Sequence, residues 1–355
     1  MKFGFGFYCQ MLDDDYMRFA RQCGATHAVV HLVDYTGGRR VSHDDQPVGS
    51  DEGWGRAGLT LDMWSYDALA RLRERFEAHG LVFEAIENFD PALWHDVLLD
   101  GPKRSEQIDR LREIIRTLGK VGIRVMGYNF SIAGVAARIT GPFARGGAES
   151  AGMDGIDDRP IPEGMVWNMA WRTPTGPEVL TPVSEDELWE RHRRFLEDML
   201  PAAEEAGVLL AAHPDDPPVE RLRKQPRLIR RPGDFQRCID QVRSPNNRLE
   251  FCLGTLAEMP DAGDEEIYEI IEHHAAAGNI GYIHLRNVVD RAPHYREVFL
   301  DEGVLDVPRV LAILRRHDYN GVIIPDHTPL MSCPAPWHSG MAFAIGYLRG
   351  CAHVG

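Results

Sequence analysis

The 355-residue chain lacks three features that would narrow its class at once: a long apolar run, an excess of basic residues and a dense set of cysteines. No apolar stretch approaches the roughly 20 residues that span a bilayer, so we expect no membrane partner. Lys and Arg number 39 against 54 Asp and Glu, a net charge of −15. This disfavours nucleic acid, because phosphate backbones are held mainly by Lys and Arg. A small anionic substrate in a locally basic pocket remains compatible with it.

The cysteines and the N-terminal residues indicate where the protein works. Six cysteines in a chain this long do not resemble a disulfide framework. Residues 1–7 are too few and too glycine-rich for a signal peptide. We therefore expect a cytoplasmic protein, and we also expect it to be a homo-oligomer.

Short apolar runs rich in Val and Ile alternate with helical patterns along most of the chain. Leu69, Leu72 and Phe76, for example, fall on one helical face, and Gly80 ends that helix. Repeated strand–helix alternation predicts a parallel sheet, and eight units predict a closed (β/α)8 TIM barrel. The alternative is a doubly wound open sheet, but no G-x-G-x-x-G follows the first predicted strand. The predicted strands are 25–32, 81–87, 123–130, 207–213, 227–230, 248–253, 280–285 and 321–325.

Two stretches interrupt this alternation, at about 34–61 and 131–182. Both are rich in Gly, Pro and charged residues, and both follow a predicted strand. Loops of this length inside a compact domain are usually lids or binding loops. We expect a single TIM-barrel domain over residues 1–355, with these two loops serving its function.

Metal-ligating side chains stand where four of the later predicted strands end: His213, Cys252, His284 and Asp326. In a TIM barrel the chemistry is located at these strand ends, and Pro214 biases His213 toward an extended backbone. Each residue alone has a structural explanation, as a hydrogen-bonding His, a packed Cys or a helix-capping Asp. Four such residues at four strand ends favour one divalent metal site.

Several short strings resemble the D-mannonate dehydratase family. The most specific is His-Pro-Asp-Asp-Pro-Pro at 213–218, and it is accompanied by His-Leu-Arg at 284–286 and Pro-Asp-His at 325–327. Gly-Tyr-Asn-Phe at 127–130 resembles the family's third strand end, and 344–350 resembles its last helix. The resemblance covers most of the chain and implies a TIM barrel of the xylose-isomerase-like kind.

The resemblance also implies an activity and a cofactor. Such enzymes remove water from D-mannonate to give 2-keto-3-deoxy-D-gluconate, with one Mn²⁺ held by residues that match the four strand-end ligands. Thiolate ligation alone favours Zn²⁺ or Fe²⁺, and Co²⁺ is a further alternative. The family's catalytic His matches His327, next to Asp326, and an imidazole suits general acid–base catalysis. Arg286 is predicted to hold the substrate carboxylate through two parallel hydrogen bonds, with a salt bridge at the barrel rim as the alternative.

Further substrate contacts are predicted at other strand ends and in one loop. Asn129 and His31 are candidates for binding hydroxyl groups, and the alternative for each is a structural role. The family has a catalytic Tyr before its last helix, but no Tyr occurs between His327 and Tyr347. The nearest substitute is His338, whose alternative is a solvated loop position. Other sources of a phenol are Tyr8, Tyr35 and Tyr128.

The predicted function is therefore a metal-dependent sugar-acid dehydratase with a small anionic sugar acid as its substrate. An isomerase or epimerase of the same barrel class is the first alternative, and Glu87 at the end of the second predicted strand would supply its additional carboxylate. A sugar-acid binding protein without catalysis is the second alternative. A metal-dependent nuclease fits the fold but not the charge.

Overall fold

The architecture was analysed in a computed structural model, which describes residues 1–36, 53–173 and 175–354. Eight parallel strands close into a barrel in which each strand pairs with its neighbours in the chain and the first pairs with the last. The predicted TIM barrel is confirmed. The barrel strands are β1 (Lys2–Tyr8), β2 (His27–His31), β3 (Val82–Glu87), β4 (Val125–Tyr128), β5 (Leu209–Ala212), β6 (Asn247–Cys252), β7 (Ile280–His284) and β8 (Val322–Ile324).

The helices lie between these strands in the chain, except that the last one follows β8, and several begin at a short polar side chain. Ser184, for example, accepts a hydrogen bond from the backbone N–H of Glu187, which satisfies a donor that the first helical turn leaves free. The same helix ends at Gly207 in the left-handed conformation. The described helices are α1 (Asp14–Cys23), α2 (Tyr66–Ala78), α3 (Pro91–Leu99), α4 (Arg104–Val121), α5 (Glu185–Ala206), α6 (Pro232–Gln241), α7 (Leu253–Glu258), α8 (Glu266–Ala276), α9 (Val307–Arg316) and α10 (Pro336–Val354).

Strand β1 was not among the predicted strands, although it lies between β2 and β8 in the barrel. Its sequence alternates glycine with phenylalanine, and glycine is usually depleted from strands. The structure explains Gly4: an added Cβ would lie 2.8 Å from Val322 Cγ1 and 2.9 Å from the carbonyl oxygen of His27. The neighbouring strands approach closely at Gly4, so this position requires glycine. The same glycine content explains why the sequence pattern does not predict β1 as a strand.

The prediction of a strand at 227–230 is wrong. This segment is irregular, and Arg227 is fully buried. Its guanidinium donates hydrogen bonds to the Ser131 hydroxyl at 2.8 Å and to the backbone oxygen of Asp216 at 2.7 Å. Arg227 is therefore a buried residue that joins two loops, and the segment that contains it is not a short barrel strand.

The stretch 131–182 contains regular structure where a long loop was predicted. Two of its strands join two further strands that follow β7 in a four-stranded antiparallel sheet. We call it the mouth sheet, because its strands follow the carboxyl ends of β4 and β7. Of the other predicted loop, 34–61, residues 37–52 lie outside the described part of the chain. In sheet order the mouth-sheet strands are Asn287–Val289, Arg296–Val298, Ala148–Met153 and Arg138–Ala144.

None of the described helices combines the length and the apolar character that crossing a membrane requires.

Candidate active site

A pocket opens where the barrel strands end and the mouth sheet begins. Residues at the ends of β1, β2, β3 and β7 line it together with residues of the following loops and one residue of the mouth sheet. This is the end of the barrel at which TIM-barrel enzymes carry their chemistry. Lining residues used below include His213, His284, Asp326, His327, Arg138 and Tyr8.

The four predicted metal ligands come together at this end of the barrel. One atom each of His213, Cys252 and His284 forms a group in which every pair lies within 4.8 Å. Asp326 adjoins them, with its Oδ2 3.6 Å from His284 Nδ1. Its other oxygen, Oδ1, is buried and has no hydrogen-bond partner in the described part of the chain. The arrangement leaves a thiolate, two imidazoles and one carboxylate oxygen available to a single ion.

Cys252 has the electrostatic environment of a thiolate. Burial alone would raise the pKa of its thiol, but the nearby Arg286 guanidinium and the two imidazoles beside it outweigh burial and hold the pKa at about 5. Arg286 Nη1 donates to the sulfur at 3.3 Å, and the hydroxyl of Thr255 donates at 3.2 Å. A thiolate, not a thiol, is the form that ligates a metal ion.

Negative groups also surround His284. Its Nε2 lies 3.0 Å from Glu87 Oε2 and 3.3 Å from Glu250 Oε1. Burial disfavours a charged imidazole, yet these carboxylates raise the pKa of His284 well above its ordinary value. Among the described residues, neither oxygen of Glu250 and neither nitrogen of His284 has a hydrogen-bond partner. Buried polar atoms are normally paired, so an excess of unpaired acceptors here fits a bound divalent cation.

Glu250 lies one layer deeper in the barrel than Cys252, two residues before it on β6. Burial and the neighbouring Glu87 raise the pKa of Glu250 to about 8. Together with His284, the two glutamates form a second group of closely spaced potential ligands. Gly127 gives Glu250 its space, because an added Cβ would collide with Glu250 Oε2. Glu250 was not predicted as a site residue, since nothing in its local sequence distinguishes it from an outward-facing strand carboxylate.

His327 is held by a carboxylate of the mouth sheet. Its Nδ1 lies 2.9 Å from Oε1 and 3.0 Å from Oε2 of the buried Glu297. Burial would raise the pKa of Glu297, but His327 lowers it below its ordinary value. A proton on Nδ1 is therefore bound to the carboxylate, which leaves Nε2 as the basic nitrogen. Glu297 was also missed, because its position depends on the tertiary placement of the mouth sheet.

Arg286 donates to protein acceptors with all three of its nitrogens. It reaches Glu258 Oε1 at 2.9 Å, Asp216 Oδ2 at 2.7 Å and Asp326 Oδ2 at 2.5 Å, in addition to the Cys252 sulfur. The side chain is 2% exposed. A two-pronged contact with a substrate carboxylate would have to displace these partners. In this geometry Arg286 orients two of the candidate metal ligands.

Arg138, at the start of the mouth sheet, has free donors in the same pocket. Its Nη2 donates to Asp216 Oδ2 at 2.6 Å. Its Nε is buried without a hydrogen-bond partner, and none of the described residues accepts from Nη1. Its side chain is only 7% exposed. A buried guanidinium with unused donors fits an anionic ligand. The sequence carried no signal for this residue, which lies within the stretch predicted as a loop.

Asn129 and His31, predicted to bind hydroxyl groups, already have protein partners. Asn129 Oδ1 accepts from the indole of Trp167 at 3.1 Å, and its Nδ2 donates to a backbone oxygen at 3.2 Å. His31 Nδ1 lies 3.2 Å from the Tyr35 hydroxyl, and its Nε2 lies 3.4 Å from Glu87. Their roles in substrate binding stay predictions.

His338 and the candidate tyrosines take different positions. The ring of His338 packs on Phe19 with centroids 4.6 Å apart, and His338 is not among the residues that line the pocket. Tyr128 is also outside it, since its hydroxyl pairs with His192 at 3.0 Å. Tyr8 lines the pocket, and its hydroxyl has no hydrogen-bond partner among the described residues. Burial and a nearby glutamate raise its pKa, so the phenol keeps its proton.

The sequence profile of the D-mannonate dehydratase family (UxuA) matches residues 57–143 and 161–353. The chain belongs to the D-mannonate dehydratase family. Two of its relatives are mannonate dehydratases from Geobacillus thermodenitrificans and Lactococcus lactis subsp. cremoris. They are 27% and 28% identical to it, over 75% and 77% of this chain and 76% and 82% of their own length.

Solved structures agree with this membership in fold. The mannonate dehydratase from Streptococcus suis superposes with a TM-score of 0.76 over 100% of this chain and 93% of its own, at 23% identity. A xylose isomerase domain protein from Planctomyces limnophilus gives a TM-score of 0.56 at 12% identity, over 99% of this chain and 98% of its own. The barrel is therefore of the xylose-isomerase-like kind, as the sequence resemblance predicted.

Proposed function

We propose that this chain is a metal-dependent sugar-acid dehydratase that converts D-mannonate, or an acid closely related to it, into the 2-keto-3-deoxy acid and water. The observation that carries the proposal is the convergence of His213, Cys252 and His284, with Asp326 beside them, at the pocket that His327 lines. The Glu297 carboxylate holds His327 there. Membership of the D-mannonate dehydratase family supports the reaction type.

The ion would be held by the strand-end set His213, Cys252, His284 and Asp326. We propose Mn²⁺ on the strength of the family resemblance, although a thiolate also suits Zn²⁺, Fe²⁺ or Co²⁺. When bound, the ion supplies positive charge that stabilises the negative charge developing on the substrate's oxygens. The unpaired Asp326 Oδ1 and the lowered pKa of Cys252 support this assignment.

His327 is the proposed general base. The reaction removes the proton on the carbon next to the carboxylate, and Nε2 of His327 is the nitrogen that its contact with Glu297 leaves free to accept it. The Glu297 carboxylate then stabilises the positive imidazolium and keeps the ring in place. Asp326 lies 4.0 Å from the same nitrogen and adds to this stabilisation.

Arg138 is the proposed partner of the substrate carboxylate. Its unused donors and its burial suit a charge-assisted hydrogen bond to an anion. The original candidate, Arg286, is a positioning residue in this proposal, because its donors hold Asp326 and Cys252. Both arginines donate to the same oxygen, Asp216 Oδ2, at 2.6 Å from Arg138 and 2.7 Å from Arg286.

Tyr8 is the proposed general acid. The bond between the second reacting carbon and its hydroxyl must break, and the departing oxygen takes up a proton to leave as water. The phenol of Tyr8 supplies that proton and is reprotonated from solvent. The enol that remains becomes the 2-keto acid by taking up one proton at carbon 3 and losing the proton of its carbon-2 hydroxyl. His327 releases to solvent the proton that it took from carbon 2, so the net reaction is loss of one water.

An isomerase or epimerase of keto sugars is the second candidate. Glu87 supplies the additional carboxylate that this alternative needs, and it lies 3.0 Å from His284. Both reactions begin with proton abstraction beside an activated oxygen, so the same pocket suits either. The third candidate, a binding protein, would use the pocket without turnover.

The deciding experiment incubates the Mn²⁺-loaded protein with aldonic acids and, separately, with keto sugars. We expect a 2-keto-3-deoxy product from at least one aldonic acid, and no product from the matched variant His327→Asn compared at the same metal content. Isomerised keto sugars without any dehydration product would overturn the proposal in favour of the second candidate. Metal-dependent binding of an acid with no turnover would identify a binding protein.

Light scattering tests the proposed homo-oligomer, and cell fractionation tests the cytoplasmic location.

A further inference from the structure

A line of hydrogen-bonding groups runs along one side of the pocket through Glu87, His31, Tyr35 and Asn88. His31 Nε2 lies 3.4 Å from Glu87 Oε2, and His31 Nδ1 lies 3.2 Å from the Tyr35 hydroxyl. The same hydroxyl accepts from Asn88 Nδ2 at 3.2 Å. All four side chains are buried and line the pocket.

The direction of each hydrogen bond in this line follows from the chemistry of the groups. A carboxylate only accepts, so His31 presents Nε2–H to Glu87, and its Nδ1 is then an acceptor. The Tyr35 hydroxyl donates to that nitrogen and accepts in turn from an amide N–H. Asn88 must therefore turn its Nδ2 toward Tyr35, because a flipped amide would place two acceptors together. Its Oδ1 is left as the free end of the line.

A backbone hydrogen bond and the packing of Tyr35 also hold Asn88 in place. Its backbone N–H donates to the carbonyl oxygen of Gly127 at 2.9 Å. It has a φ of 66°, in the left-handed region that asparagine tolerates better than most residues. The ring of Tyr35 packs against those of Trp54 and Trp167, with centroids 5.1 and 5.7 Å away. The amide therefore has little freedom to turn.

The free end of the line is the side-chain oxygen of Asn88. Asn88 is 7% exposed, and its Oδ1 is buried without a hydrogen bond to any residue that the structure describes. A buried acceptor of this kind is destabilising unless a ligand or a water donates to it. A hydroxyl group can donate, whereas a carboxylate or a phosphate oxygen cannot.

We propose that Asn88 Oδ1 accepts a hydrogen bond from one substrate hydroxyl beyond the two reacting carbons, and that Asn88 thereby selects the configuration at that carbon. The inference rests on the proposed dehydratase function, from which it takes the sugar acid as substrate. The residues at the reacting end, Arg138, His327 and the candidate ligands, set the chemistry. Asn88 determines which arrangement of substrate hydroxyl groups fits beside these residues.

The test uses Asn88→Gly in the Mn²⁺-loaded protein. Glycine adopts a positive φ without strain, so this variant deletes the amide without disturbing the backbone. Asp318→Gly is the matched control, since Asp318 also has a positive φ, of 53°, and is exposed at the end of α9. The probes are D-mannonate, its epimers at carbons 4 and 5, and the analogues that lack either hydroxyl. Binding is followed by calorimetry and turnover by the keto product.

We expect the wild type and the control to prefer one hydroxylated probe over its deoxy analogue and its epimer, by about 10- to 100-fold. Asn88→Gly should lose that preference at one carbon, with KM affected more than kcat. Tyr35→Phe, which removes the link that orients the amide, should reduce the preference in the same direction. An unchanged preference in Asn88→Gly would overturn the inference even if keto product forms. Binding with this preference but no product in the wild type would instead contradict the proposed dehydratase while supporting the role of Asn88.

Discussion

At the scale of single residues, two buried cysteines show how position decides chemistry. Burial raises the pKa of the Cys238 thiol to about 12, whereas Arg286 and two imidazoles hold that of the equally buried Cys252 at about 5. Both side chains are inaccessible to solvent, so the difference arises from neighbouring charges. Cys238 is a packing residue, whereas Cys252 has the charge environment that its proposed role as a ligand requires.

This contrast gives a metal-binding prediction. Cys252→Ser keeps the size of the side chain but removes the thiolate, and His213→Ala removes an imidazole. Each variant should hold well below one ion per chain after equilibration with Mn²⁺ and desalting, measured by mass spectrometry of the metal. Cys238→Ser, which makes the same exchange away from the pocket, should keep the wild-type content. Full metal content in both site variants would remove the basis for this centre.

A second prediction concerns the phenol of Tyr8. If it protonates the leaving hydroxyl, Tyr8→Phe should lower kcat about 10²- to 10⁴-fold. The proton next to the carboxylate should still exchange with D2O, because His327 is untouched. NMR of the recovered substrate measures the exchange. The exposed Tyr66→Phe is the matched control. Loss of exchange together with turnover would contradict this division of labour.

Some candidate site residues are predicted from the sequence and others are not, and the two groups differ in the information that determines their position. His213, Cys252, His284 and Asp326 stand at strand ends, and hydrophobic periodicity along the chain marks such ends. Arg138 and Glu297 reach the pocket only because two distant segments pair in the mouth sheet. That pairing depends on contacts far apart in the chain, which local pattern does not specify.

At the scale of elements, the loop that carries His213 is anchored by a buried ion pair. Arg227 Nε lies 3.1 Å from Asp215 Oδ1, and both side chains are almost inaccessible. Arg227 also donates to the Ser131 hydroxyl and to the carbonyl oxygen of Gly134. This arginine ties the loop after β5 to the loop after β4.

Removing the anchor should destabilise the protein strongly. Arg227→Met leaves the Asp215 carboxylate buried without its counter-charge, which typically costs about 3–5 kcal/mol. Urea denaturation followed by fluorescence measures the loss. Arg18→Met, which breaks the exposed pair with Asp15, should change stability by less than about 1 kcal/mol. Equal effects of the two substitutions would show that the Arg227 contacts do not support the loop.

The elements themselves were predicted unevenly, for reasons of local chemistry. Seven barrel strands contain enough β-branched and apolar residues to be recognised, whereas β1 alternates with glycine and was not. The sequence pattern reaches eight strands only because it also predicts one at 227–230, where the structure has none. A run of basic residues next to apolar residues has the same sequence pattern whether its arginine is buried or exposed to solvent. Only the tertiary partners of Arg227 distinguish the two cases.

At the scale of the whole molecule, buried neutral histidines couple stability to pH. Burial lowers the pKa of His27, His192 and His274 to about 4, from an ordinary value near 6.5. Below pH 6.5 the unfolded chain binds protons that the folded chain does not, so the folded state loses stability as the pH falls toward 4. Above pH 6.5 this contribution is complete and constant.

The corresponding prediction is a falling urea midpoint between pH 7 and pH 5. His192→Asn should make the fall less steep, by up to one proton in the dependence of unfolding free energy on pH. Comparing the two proteins at the same metal content cancels the effect of the metal site. Parallel curves for wild type and variant would show that His192 is not part of this coupling.

The barrel and the mouth sheet each contribute part of the pocket, and this division affects which segments can vary among related sequences. The candidate ligands belong to the ends of β5 to β8, whereas Arg138 and Glu297 arrive on segments inserted after β4 and β7. The family profile passes over residues 144–160, which include one strand of that sheet. Arg138 and Glu297 lie within the matched residues, and the strand that the profile omits lies between their two strands in the mouth sheet. Relatives can therefore differ in this one strand of the mouth sheet while they keep the candidate ligands and the two segments that bring Arg138 and Glu297 to the pocket.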